Sequence, residues 1–155
     1  METKLARTNT RRRALLLIGV PVAVVVLAAG AFAAMRMAPP PADLDYSRTQ
    51  TSENGLFTAT IEPAADPIAV NQMHSWTVAI AMADGSPVDP AAVTIDGGMP
   101  QHGHGLPTAP QVTEDLGDGR FAVEGMKFNM GGWWVVNVHV ETAQGADVAT
   151  FNLKL

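Results

Sequence analysis

The sequence predicts an all-β domain preceded by one N-terminal transmembrane helix, and three observations carry that expectation. Residues 14–35 contain no charged side chain. Beyond Gly55, short stretches alternate apolar and polar residues with a period of two, the pattern of strands buried on one face. Between them stand turn pairs such as Asp84-Gly85, Asp118-Gly119 and Gly131-Gly132. A chain of 155 residues has room for one ordinary domain plus an anchoring or targeting segment.

Residues 1–13 form a basic segment, with Lys4, Arg7, Arg11, Arg12 and Arg13 against Glu2. The 22-residue run Ala14 to Met35 follows. At about 1.5 Å per helical residue it can cross a hydrocarbon core of about 30 Å. A cleaved signal peptide is the alternative, since Ala31-Phe32-Ala33 resembles a cleavage signal, but the apolar run is longer than the usual signal core. In either case the basic side stays in the cytoplasm and the remainder faces outward. The expected location is therefore the bacterial cytoplasmic (inner) membrane, single-pass, with an extracytoplasmic C-terminal domain. Residues 36–54, with Pro39-Pro40-Pro41 and no hydrophobic period, read as a linker that is stiff and extended at its start.

The domain proper is expected over 55–155. Phe57, Ala59 and Ile61 alternate with polar residues until Pro63. Trp76, Val78, Ile80 and Met82 share one face, and a short strand over 92–95 leads into the next loop. Residues 111–113 suggest a brief edge strand and 120–127 a further strand. In 133–141 the even positions Trp134, Val136, Val138 and Val140 face the core, and in 147–155 so do Ala149, Phe151, Leu153 and Leu155. About seven strands with no amphipathic helix predict an immunoglobulin-like β-sandwich.

From Met37 onward four basic residues oppose fourteen acids, a net charge of −10. Such a domain repels nucleic acid and anionic surfaces and suits a cationic ligand. With no cysteine there is no disulfide, thiolate metal site or catalytic thiol. The serines stand in no nucleophile elbow, no glycine-rich phosphate loop opens a helix, and no carboxylate pair suggests glycosidase chemistry, so no enzyme activity is expected.

The stretch Met99-Pro100-Gln101-His102-Gly103-His104-Gly105 gathers two imidazoles and a thioether in a turn. Residues two apart in an extended segment point the same way, so His102 and His104 can address one point. The same pair also reads as a surface turn with two solvated histidines. Met126 and Met130, in GMKFNMGGWW, flank a junction between strands that can meet the histidine loop at one end of a sandwich, although Met126 reads equally well as core. Imidazole with thioether suits Cu(I), whereas zinc and calcium ask for thiolate, carboxylate or several oxygens. Trp133, on the outward parity, reads first as a partly exposed aromatic closing the sandwich end and second as a shield for the ion. His74 and His139 read as ordinary surface or hydrogen-bonded histidines.

The run from Met99 to Val140, with M-P-x-H-G-H-G followed by G-M-x-F-x-M-G-G-W-W, resembles the YtkA-like family, which is related in architecture to FixH-type proteins. The resemblance extends over the flanking strands, 55–155. It implies an immunoglobulin-like extracytoplasmic domain, often anchored by one N-terminal helix, with relatives linked to copper delivery and haem-copper oxidase assembly. Carried over by motif, it marks Met99, His102, His104 and Met130 as metal ligands, with Met126 behind them. The expectation is a membrane-anchored copper carrier or assembly factor whose partner is a membrane protein such as an oxidase or transporter. The alternative is a metal-free interaction module docking on such a partner.

Overall fold

The computed structural model describes residues 39–89 and 92–155. The segments 1–13 and 14–35, read above as a basic tail and a transmembrane helix, lie outside the described residues. Among the described residues no helix is long and apolar enough to cross a membrane. They form nine strands in two antiparallel sheets.

The five-stranded sheet contains β1 (Thr49–Thr51), β2 (Phe57–Pro63), β3 (Met73–Met82), β6 (Gln111–Gly117) and β7 (Arg120–Lys127), in the order β1-β2-β3-β7-β6. The four-stranded sheet contains β4 (Ala92–Met99), β5 (His104–Gly105), β8 (Trp133–Thr142) and β9 (Gly145–Lys154), in the order β5-β4-β8-β9. Seven of these strands are seven to ten residues long. The two sheets close as a sandwich because each presents one apolar face. Phe57, Ala59, Ile61, Trp76, Val78, Ile80, Phe121 and Val123 meet Ile95, Trp134, Val136, Val138, Phe151 and Leu153 in one core. A large apolar side chain buried this way stabilises by about 1.5–3 kcal/mol relative to exposure.

Four elements differ from the sequence expectation, each for a readable reason. β4 continues past Ile95 to Met99, since Gly97 and Gly98 still pair with Val136 and Val135 of β8. β6 extends to Gly117 as an exposed edge strand with two register shifts against β7, which erase any visible alternation. β1 lies in the stretch read as linker, where its residues pair with Thr58, Ala59 and Thr60 of β2. Being polar and at an edge, it needs no hydrophobic period. β5 lies inside the histidine loop itself.

The registers fix which ends coincide. Thr49 pairs with Thr60, Pro63 with Trp76, Met73 with Lys127, Gly98 with Val135 and Trp133 with Lys154. The segments 39–48, 63–73, 99–110, 127–133 and 153–155 therefore gather at one end of the sandwich, and the described chain enters the domain there. The histidine loop is part of that end. At the opposite end the Asp147 carboxylate accepts hydrogen bonds from the backbone N–H of Asn54, Leu56 and Val148 and from the Asn54 amide, fastening the β1–β2 corner to β9.

Candidate metal centre

The histidine loop is a tight hairpin between β4 and β5. The Met99 carbonyl accepts the N–H groups of His102 (3.0 Å) and Gly103 (2.9 Å), and Leu106 N–H donates to the Gly97 carbonyl (2.9 Å). Within it Met99 pairs with His104 and Gly98 with Gly105. The close approach requires glycine at 98: a Cβ there would stand 2.5 Å from the His104 carbonyl oxygen.

This hairpin presents two exposed imidazoles side by side. The rings of His102 and His104 have centroids 5.9 Å apart and are tilted by 38°. His104 Nδ1 lies 2.9 Å from the Gly105 carbonyl oxygen. A carbonyl only accepts, so Nδ1 carries the proton in that contact and the neutral ring keeps its Nε2 lone pair free for a metal.

Beneath the histidines lies an aromatic floor. Trp134 meets His104 edge-on at 5.6 Å, and Phe128 meets Trp134 edge-on at 5.2 Å. The Trp134 indole N–H donates to the Met130 carbonyl at 3.0 Å, which fastens the loop 128–132 to the floor on which His104 rests. Met130 itself is 38 % exposed. Met99 is buried at the base of the hairpin, with its terminal methyl so close to Gly132 that a Cβ there would come within 2.8 Å. One sandwich end thus collects Met99, His102, His104 and Met130.

Met126, like Met99, is enclosed in the core, but it lies on the five-stranded sheet, opposite His74 of β3. Its orientation follows from a change of parity along β7. Phe121 and Val123 point inward, the ladder shifts register, and after Gly125 (φ 87°) the inward positions become Met126 and Phe128. Trp133 keeps its expected outward parity as a partly exposed aromatic. It is half-buried on the outer face of β8 and donates its indole N–H to Asn152 Oδ1 of β9 at 2.9 Å. The aromatic ring against His104 is Trp134, which an alternation rule assigns to the core. It serves both roles because it is the second residue of β8, where the core face opens onto the sandwich end.

The two other histidines have partners elsewhere. His74 is buried and holds the Ala69 carbonyl through Nε2 at 2.7 Å. His139 pairs with Asp96 at 3.2 Å on the outer face of the four-stranded sheet. Among the described residues no three His, Asp or Glu side chains are grouped to hold a metal ion. What the histidine end offers is imidazole and thioether, a set that fits a soft ion such as Cu(I).

A family model described as YtkA-like matches residues 49–139, from the start of β1 into β8. No curated protein and no solved structure matches the chain.

Proposed function

Since the chain belongs to the YtkA-like family, we propose that its sandwich domain binds Cu(I) at the histidine end and carries it to a partner. The ligands in this reading are His102 and His104, with Met130 and Met99 as thioether donors. When bound, the ion supplies a soft Lewis-acid centre that exchanges ligands readily. The residues of the chain hold, orient and shelter it. The observation that carries the reading is the indole of Trp134, which touches His104 with its ring and holds the Met130 loop with its N–H. In the same proposal the run 14–35 anchors the chain in the cytoplasmic membrane with the domain outside, and the recipient is a membrane protein such as an oxidase or transporter.

The test is a Cu(I) competition titration on the full chain. His102→Ala with His104→Ala is expected to weaken binding by at least about 100-fold, or about 2.7 kcal/mol. Unchanged affinity overturns the reading. A second reading, a metal-free docking module, draws on the exposed Tyr46, Val70 and Met73 at the same end. It requires partner crosslinking to be insensitive to a copper chelator.

A further inference from the structure

The two ends of the sandwich differ in charge and in apolar exposure. Among the described residues five large apolar side chains are exposed: Tyr46, Val70, Met73, Leu116 and Met130. Four of them, all but Leu116, stand on the segments gathered at the histidine end. Backbone hydrogen bonds join these segments. Asn71 N–H donates to the Phe128 carbonyl at 2.7 Å, and Gly132 and Leu155 exchange both of their bonds, at 2.8 and 3.0 Å. Beside Leu155 a groove of about 360 Å³ is lined by Tyr46, Arg48, Asp66 and Ile68.

Charge follows the same axis. At the histidine end Arg48, Lys127 and Lys154 face Asp43, Asp45, Glu62, Asp66 and Glu124, a net charge of −2, because the registers place Glu62 and Glu124 beyond Arg48 toward that end. At the opposite end Glu53, Asp84, Asp89, Asp115, Asp118, Glu141 and Asp147 face Arg120 alone, a net charge of −6. Arg48 is paired with Asp66 at 2.7 Å, whereas Lys127 and Lys154 enter no salt bridge among the described residues. An acidic body near an anionic surface turns its least acidic side toward it, and an aromatic with lysines is a combination suited to the headgroup level.

The covalent chain adds a third, independent constraint. It enters the domain at this end, where the Asp45 carbonyl is held by the Asn152 amide at 3.1 Å. The nine residues 36–44 between the apolar run and Asp45 span at most about 30 Å.

We propose that the histidine end is the membrane-facing end of the domain, docking on the phospholipid surface. Tyr46, Val70, Met73 and Met130 lie at the headgroup level, and Lys127 and Lys154 meet lipid phosphates. This rests on the anchoring part of the proposed function but not on copper. It places the metal ligands at the bilayer surface, where only a recipient opening close to the membrane can reach them.

The absence of native cysteine allows single-cysteine variants of the full chain, Val70→Cys and Leu116→Cys, each carrying an environment-sensitive fluorophore. They are reconstituted in vesicles of phosphatidylethanolamine and phosphatidylglycerol containing a headgroup nitroxide lipid. The label at Val70 is expected to lose most of its emission, while that at Leu116, which lies level with Ala79 of β3 and so about 20 Å away along the strands, keeps its own. Lys127→Glu with Lys154→Glu should restore emission at Val70 without changing the unfolding midpoint. Equal quenching at both labels, or quenching that ignores the charge reversal, overturns the proposal. So does protection of Val70 that occurs in native membranes but not in pure lipid, since it assigns the face to a protein. Flotation in high salt reports the anchor separately. A chain that leaves the vesicles there refutes anchoring, while quenching at low salt still decides the docking face.

Discussion

Gly98→Ala isolates the geometry of the histidine hairpin from the chemistry of its ligands. The added Cβ would stand 2.5 Å from the His104 carbonyl oxygen, 3.1 Å from the Gly105 Cα and 3.3 Å from the His104 carbonyl carbon, all backbone atoms. Reaching a tolerable 3.0–3.4 Å requires a displacement of about 0.5–0.9 Å. β4 is held on its other side by seven register pairs with β8, whereas β5 is held by two pairs with β4, so β5 is the side that yields. Losing one or two ladder hydrogen bonds, each with a net worth of about 0.5–1.5 kcal/mol, gives a local cost of about 1–3 kcal/mol. That cost moves His104 off Trp134. Under the proposed reading Cu(I) affinity then falls by about 10- to 100-fold, measured by competition titration, while the thermal midpoint changes little because an edge hairpin contributes little to the core. Gly105→Ala is the matched control, since its nearest neighbour, the Gly97 oxygen, stands at 3.4 Å. If Gly98→Ala binds as wild type, or Gly105→Ala is the more damaging variant, hairpin placement does not govern the site.

Three further outcomes are expected. Asp147 is pushed up by burial, but hydrogen bonds from the Ser52 hydroxyl and the N–H groups of Val148, Asn54 and Leu56 outweigh this and lower its carboxyl from 3.8 to about 2. A lowered folded-state value means stabilisation that is complete above the unfolded value and lost as pH falls from about 4 toward 2, amounting to about 2 kcal/mol. Asp147→Asn should flatten chemical denaturation midpoints across that window, and an undiminished slope there refutes the assignment. Met99→Leu keeps volume and removes sulfur. It should cost less than about 1.5 kcal/mol in stability yet weaken Cu(I) binding by about tenfold, and equal binding removes Met99 from the ligand set. Cu(I) should also change the tryptophan emission of the chain. That change should survive Trp133→Phe and vanish in Trp134→Phe; the reverse pattern contradicts contact through Trp134.

The sandwich was legible because period-two patterning is a direct record of a sheet with one buried face. Val136, Val138 and Val140, and likewise Ala149, Phe151 and Leu153, point inward in the structure. The pattern fails where burial no longer alternates. β1 and β6 are polar edges whose pairing depends on backbone groups common to every residue, and Met126 changes side because the β3–β7 ladder slips by a residue. The histidine hairpin stood out through its composition, and its neighbour Met130 through spacing and resemblance. Trp134 was hidden because one side chain both fills the core and forms the floor beneath His104. Alternation reports the first use and is silent on the second.

That double use bears on how a carrier site can hold an ion and still release it. Met99, Phe128 and Trp134 belong to the core and are fixed by packing, since a close-packed interior leaves no room for alternative rotamers without cost. His102, His104 and Met130 stand at the surface. In the proposed reading the buried group sets the floor and excludes water from one side, while the exposed donors face whatever approaches. An incoming ligand from a recipient can then replace an imidazole or the Met130 thioether one at a time, with the core undisturbed. A site built wholly inside the sandwich, as it would be if Met126 were its anchor, would have to open the sheets to exchange its ligands. In the proposed reading, the exposed donors His102, His104 and Met130 at the rim put exchange at the histidine end, the same end by which the described chain enters the domain.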